Sequence, residues 1–327
     1  MEKGIQVVDI CVKKPVTGYF AVRRSSQGTT KDGNPFWSFV LSDATGSVDV
    51  KIWSPDDCGL ADPPAEGAVL FVRDAMATTY RDALQISIKK AQLVTESCEV
   101  DPAWFCPQGE KEAEDLFAEL CELSEKTITH KPWKDFLAAI FSDKALREAF
   151  CRAPGAVEVH HAYIGGLLEH TLGVVRLVLR FCDLYPELDR ELLFVGALLH
   201  DIGKINEYAC ATTISVTDEG RLLGHMGIGL AMLEPFLKQS SLSPDRVLHL
   251  KHLILSHHGE LAFGSTVLPQ TQEAIALHFA DNFDAKMAIC RKAFRAAKKE
   301  QRWTDAIPSL DRRRLLRLDI GQKHLRP

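Results

Sequence analysis

Seven residues in the C-terminal two thirds of the chain have the types and spacing for metal chemistry: His170, His200, Asp201, His225, His257, His258 and Asp281. Each falls on a segment that reads as helix. In GGLLEHTLGVVRLVLRF, Leu167, His170, Val174, Leu177 and Phe181 recur every three or four residues, so His170 lies on an apolar stripe facing a core. ELLFVGALLHDIGK is apolar nearly all round until His200 and Asp201, with Gly203 and Lys204 behind them, as in a buried helix near its end. His225 shares a face with Ile228, Met232 and Phe236; His257 follows Leu250 and Ile254; Asp281 follows Ala274 and Leu277. Five helices thus aim imidazoles or carboxylates at one interior.

Unpaired, each neutral group buried there would cost about 2 to 7 kcal/mol, and a lone carboxylate more. A bound cation removes that cost. Mixed imidazole and carboxylate donors suit transition metals, manganese, iron or cobalt foremost, rather than magnesium or calcium, which prefer all-oxygen shells. Seven donors exceed one tetrahedral site, which favours two divalent ions sharing Asp201.

The order H…HD…H…HH…D, with HDIGK at 200–204 and SHHGE at 256–260, resembles the HD-domain phosphohydrolase superfamily in its two-metal form. HHAYIGGLLEHT (160–171), TDEGRLLGHMGIG (217–229), LSHHGELAFGS (255–265) and LHFADNFDAKM (277–287) resemble, more narrowly, the YhaM-type 3'-5' exoribonucleases, across nearly the whole chain. That resemblance implies an OB-fold ahead of an all-α HD domain. It implies one ion on His170, His200, Asp201 and Asp281 and another on Asp201, His225, His257 and His258, with Asp201 central to catalysis. It also implies release of nucleoside monophosphates from the 3' end of single-stranded RNA or DNA, and assembly into a homo-oligomer.

Lys204, one turn after His200, is placed to offset phosphate charge in the transition state; its plainer role is a cation at a helix C-terminus, worth about 0.3 to 1 kcal/mol. His160 and His161 match the HHAY of the family and either contact nucleic acid or cap a helix. Two other functions compete: a phosphodiesterase for a small nucleotide or cyclic dinucleotide, and a noncatalytic nucleic-acid binder with a structural metal. A GYP after the paired histidines would favour the cyclic dinucleotide, but LAFGST stands there. The complete ligand set and Lys204 argue against the binder.

Ahead of this region, residues 18–94 alternate with a period near two. YFAV (19–22), FWSFVLSD (36–43), SVDVKIW (47–53), VLFV (69–72) and LQISI (84–88) read as five strands, with turn signals at Asp32-Gly33 and Thr45-Gly46. Five strands in about 80 residues fit a small barrel, and LSDATGSVDVKIW looks like an OB-fold hairpin. The fold class is therefore α+β and multidomain: an N-terminal five-stranded OB-fold β-barrel at 1–95, a linker at 96–112, an all-α HD domain at 113–300 and a basic tail at 301–327. Alternation puts Trp37, Phe39 and Leu41 on one face. Phe36 and Trp53 are expected outside, stacking bases beside a basic loop of Arg23, Arg24 and Lys31. Helices are expected over about 112–125 and over 133–150.

At 327 residues, 46% hydrophobic and 25% charged, the chain has the make-up of a globular protein. Its longest apolar run, near Leu192–Leu199, falls far short of a membrane span, and its N-terminus does not read as a signal peptide, which points to the cytoplasm and no membrane partner. Nine scattered cysteines without a CxxC pair read as reduced thiols. The net charge of −5 hides an asymmetry: residues 1–98 hold 11 Lys+Arg against 12 Asp+Glu and residues 288–327 hold 12 against 4, leaving an acidic middle of −12. The basic end either holds a polyanion or pairs with that middle.

Overall fold

The computed structural model describes residues 2–30, 32–80, 83–94, 100–109, 111–157, 161–298 and 300–318. Lys31, His160 and parts of the predicted linker and tail lie outside them. The chain forms two compact units, Met1–Gly109 with Ala209–Ser215, and Glu110–Tyr208 with Val216–Pro327. The first break thus falls after the predicted linker's start, and a short hairpin from within the helical half, β7 (Tyr208–Cys210) and β8 (Ile214–Val216), is largely counted with the strand-rich unit.

That unit holds β1 (Pro15–Thr29), β2 (Pro35–Asp43), β3 (Gly46–Ile52), β4 (Val69–Tyr80), β5 (Ala83–Ser87) and β6 (Ala91–Leu93), in the order β1-β2-β3-β5-β4-β6 with a further β1–β4 pairing. Each predicted strand falls on one of the first five, with Trp53 and Ile88 one residue past the ends of β3 and β5; β6, only three residues long, leaves no period to read. The β2–β3 hairpin pairs Trp37 with Ile52 and Asp43 with Gly46. Because side chains alternate, Trp37, Phe39 and Leu41 enter the core with Val48, Val50 and Ile52, against Phe20, Leu70 and Ile86. Arg23 and Arg24 belong to β1, not to a loop, because the strand continues past a bulge between Val22 and Arg24 to Thr29.

The helical unit holds α1 (Ala113–Thr127), α2 (Lys131–Ser142), α3 (Lys144–Arg152), α4 (Gly166–Leu184), α5 (Arg190–Leu199), α6 (Lys204–Glu207), α7 (Asp218–Gln239), α8 (Pro244–Ser256) and α9 (Gln272–Ala296). The single helix expected over 133–150 is two, because the Asp143 carboxylate accepts a hydrogen bond from the Leu146 N–H and caps a fresh start. α5, buried from Leu192 to Leu199, is the central rod against which α4, α8 and α9 pack. Its N-terminus is capped by Asp189. Gly224 (φ 65°) kinks α7, so that His225 opens a new helical run. Residues 301–318 do not trail as a tail: bridges Trp303–Leu316 and Ile307–Arg313 fold them into a hook whose Ile307 and Leu310 pack on Ile289 of α9. No described helix is long and apolar enough to cross a membrane.

Candidate metal centre

His170, His225 and Asp281 stand on α4, α7 and α9, but the other four candidates do not sit within helices as their sequence suggests. His200 is the C-cap of α5 and Asp201 lies in the turn after it; His257 is the C-cap of α8 and His258 follows it. The physical reason is angular: neighbours on a helix diverge by about 100°, whereas a helix end can turn two consecutive side chains into one space. Gly203 closes the arrangement, since a Cβ there would lie 1.9 Å from the His225 carbonyl oxygen, so only glycine lets this turn pass α7.

Asp201 is the hub, 2% exposed. Its Oδ2 lies 3.4 Å from His170 Nε2, 3.2 Å from His200 Nε2 and 2.7 Å from Lys204 Nζ; its Oδ1 lies 3.4 Å from His225 Nε2 and 3.6 Å from His257 Nε2. The two oxygens thus face two sets of imidazoles. His170 Nε2 is also 3.2 Å from Asp281 Oδ1. His225, His257 and His258 offer ligand atoms within 4.8 Å of one another, as do His170, His200 and Asp201, and again His200, His257 and Asp281.

The imidazoles are turned to ligate. His200 Nδ1–H donates to the Ala197 carbonyl (2.8 Å), His257 Nδ1–H to Ile254 (2.8 Å) and His258 Nδ1–H to Phe263 (2.8 Å). His170 Nδ1–H donates to the Asp284 carboxylate (2.8 Å), and His225 Nδ1 meets Glu207 at 3.2 Å. A carbonyl or carboxylate can only accept, so each Nδ1 carries a proton and Nε2 is the ring nitrogen left to face a metal. His200 Nε2 and Asp201 Oδ1 are buried without a hydrogen bond among the described residues, close contacts notwithstanding, because neither neighbour brings an aligned donor. Such atoms are costly unless a cation joins them. The donor set fits a divalent metal on this ground.

The electrostatics agree. Burial favours neutral forms, yet Lys204 and the surrounding imidazoles hold the Asp201 carboxyl well below its ordinary range. Burial also disfavours the Lys204 ammonium, but Asp201 outweighs it and holds that pKa above the usual lysine value. Burial opposes protonation of His170 too, and is overcome by Asp201, Asp281 and Asp284, which raise its pKa well above that of free imidazole. In His257 burial wins and the pKa falls to about 3, so its lone pair is available at any working pH. Asp201, Lys204, His225, His258, Phe263 and Asp281 open onto a cavity of about 490 Å³.

The description "HD domain" fits residues 167–286, which span this whole constellation. Among known proteins, the 3'-5' exoribonuclease YhaM of Bacillus subtilis (strain 168) is 31% identical over 317 residues, 96% of this chain and 97% of that one. The same enzyme of Geobacillus sp. (strain WCH70) is 31% identical, covering 96% and 94%. The chain belongs to the YhaM 3'-5' exoribonuclease family. Solved structures similar to this YhaM-family chain include the second OB-fold domain of replication protein A from Methanococcus maripaludis, at 18% identity over 28% of this chain and 95% of that one (TM-score 0.22). Another is the HD domain of the L. monocytogenes phosphodiesterase PgpH, at 19% identity over 49% and 77% (TM-score 0.31).

In this YhaM-family chain, the second histidine of HHAY sits inside the protein rather than on a nucleic-acid surface. His161 is buried, with Nε2 3.1 Å from Asp284 Oδ2 and Nδ1 2.8 Å from the Tyr163 hydroxyl, which donates to Glu169. Its neighbour His160 lies outside the described residues. Phe36 and Trp53 are on the outer side of the hairpin, ring centroids 5.4 Å apart, with Lys51 Nζ 4.6 Å above Phe36; Arg23 and Arg24 are exposed on β1. One residue behind the ligands escapes sequence reasoning and another shows in it only by position. Glu207 holds His225 yet stands in a four-residue helix with no periodicity to mark it. Asp284 holds His170; its only signal is its place one turn past Asp281.

Proposed function

We propose that this protein is a metal-dependent 3'-5' exonuclease that hydrolyses the phosphodiester bonds of single-stranded RNA, and of DNA where it is offered, releasing nucleoside monophosphates. The observation that carries the reading is the split of Asp201, one oxygen toward His170 and His200 and the other toward His225 and His257. In this reading His170, His200, Asp201 and Asp281 would hold one ion, and Asp201, His225, His257 and His258 a second. Manganese, iron or cobalt suits these donors. Divalent ions so held would supply an activated water and a grip on nonbridging phosphate oxygens.

The chain's own groups do the rest. Lys204 fixes Asp201 and stands at the cavity, where its ammonium offsets charge that builds on the phosphate. Glu207 and Asp284 keep His225 and His170 in the ligating tautomer. In the strand-rich unit, Phe36 and Trp53 offer rings for bases, and Lys51, Arg23 and Arg24 offer charge for the backbone. The test uses 5'-end-labelled RNA with manganese. A ladder shortening from the 3' end, with nucleoside monophosphates as product and no shortening by Asp201→Ala, is the expected result. Intact RNA beside a hydrolysed cyclic dinucleotide overturns it.

A further inference from the structure

The chemistry above leaves the basic C-terminal hook unused, yet the hook lines the metal cavity. In the run Arg312-Arg313-Arg314, only Arg313 does so. The turn that selects it is built from two successive left-handed non-glycine residues, Asp311 (φ 53°) and Arg312 (φ 58°). L-residues avoid that conformation unless their surroundings impose it, and such residues gather at functional sites. Here the Arg312 N–H donates to the Ile307 carbonyl (3.0 Å), the Ile307 N–H to the Arg313 carbonyl (2.9 Å), and Ile307 and Leu310 are anchored on α9.

Asp281, Asn282, Ala285 and Lys286 of α9 line the same cavity. Lys286 is five residues past the ligand Asp281, about 7.5 Å further along the helix axis, and forms no hydrogen bond or ion pair with a described residue. Arg313 pairs with Asp311 at 2.8 Å, but both side chains are exposed, and so solvated a pair yields readily to a competing anion. A guanidinium fork and an ammonium that line the same cavity as the ligands are a receptor for a second phosphate.

We propose that Lys286 and Arg313 bind the backbone phosphate immediately 5' of the one being cleaved. The site therefore takes a chain with consecutive phosphodiesters in preference to an isolated one. This rests on the nuclease reading, and deepens it.

The test uses the full-length protein with manganese and two diadenosine substrates, pApA and ApA, in wild type and in Lys286→Gln, Arg313→Gln and Arg312→Gln. The 5'-phosphate of pApA occupies the subsite. It should lower KM roughly tenfold in wild type and in Arg312→Gln, and that gain should vanish in Lys286→Gln and Arg313→Gln with kcat held within about twofold. The salt dependence of log(kcat/KM) should flatten by about 0.7 for each contact removed, as for one single-strand phosphate. An equal gain in all four proteins, or an equal loss in Arg312→Gln and Arg313→Gln, overturns the subsite. If wild type hydrolyses neither dinucleotide, the nuclease reading has failed separately. Calorimetric binding of pApA against ApA to the same four proteins then decides the subsite by the same pattern.

Discussion

Two buried aspartates, one in each unit, show how a structural carboxylate differs from one built to bind. Asp43, in the strand-rich unit, is 2% exposed like Asp201. Every part of it is satisfied: Lys3 pairs with it, the Val7 N–H donates to Oδ2 (2.8 Å), and the Thr45 N–H (2.8 Å) and hydroxyl (2.6 Å) donate to Oδ1. Burial alone would raise its pKa, and these donors bring it below the ordinary value. Asp201 has Lys204 on one oxygen, while the other faces imidazole nitrogens whose protons are committed elsewhere. Both are buried and ionised; only the second has capacity left over. The lesson is that an active carboxylate is recognised by donors it lacks.

Substitutions at these two positions should therefore fail in different ways. Asp201→Asn is expected to lower kcat on RNA by on the order of 10³-fold or more and to lower bound metal by elemental analysis, even in the fraction that is folded. Asp43→Ala should do the reverse. Stranding Lys3 costs about 3 to 5 kcal/mol of stability in urea unfolding, while kcat of the folded fraction stays near wild type. Normal stability in Asp43→Ala would falsify the structural assignment.

Smaller changes sharpen the contrast. Glu207→Ala and Asp284→Ala remove the anchors of His225 and His170 without touching the hub, so manganese affinity by titration calorimetry should drop about 10 to 100-fold for each. Unaltered affinity in both would mean that the imidazoles need no such support.

The raised pKa of His170 sets the sign of a pH effect. Since its folded pKa lies above the unfolded value, near 6.5, its contribution to the stability of the metal-free protein is full below that value. It is lost as pH climbs through the raised pKa. A metal must displace the same proton, so apparent affinity should rise up to about tenfold per pH unit across that window. Calorimetry in buffers of differing ionisation enthalpy would show the released proton; a flat profile would contradict it. Trp53→Ala should have the mildest consequence. Half of this ring is exposed, so its loss should weaken single-stranded RNA binding by about 1 kcal/mol, the lower end for a stacked base, and leave cleavage of a dinucleotide untouched.

Much of this was readable before any coordinates. Strand alternation alone separates Trp37 and Phe39 from Phe36, because a period of two admits no other division. The placing of His170 on an apolar stripe and the apolar run into His200 and Asp201 say which groups go inside, because burial is written in residue type. What they do not say is where a helix stops. Treating 133–150 as continuous overlooks the Asp143 cap, and treating His257 and His258 as helical overlooks the turn that lets both face one space.

The one-dimensional pattern determined the ligand types, their order and the two architectures, since these follow from local periodicity and from the chemistry of side chains. Tertiary structure alone decided that the two oxygens of Asp201 divide their neighbours, that Glu207 and Asp284 stand behind His225 and His170, that His161 is interior, and that a hook brings Arg313 to the cavity. Each depends on groups from 18 to more than 100 residues apart meeting within hydrogen-bonding distance or along one cavity wall. No local period encodes such a meeting; only the packing of helices around α5 produces it.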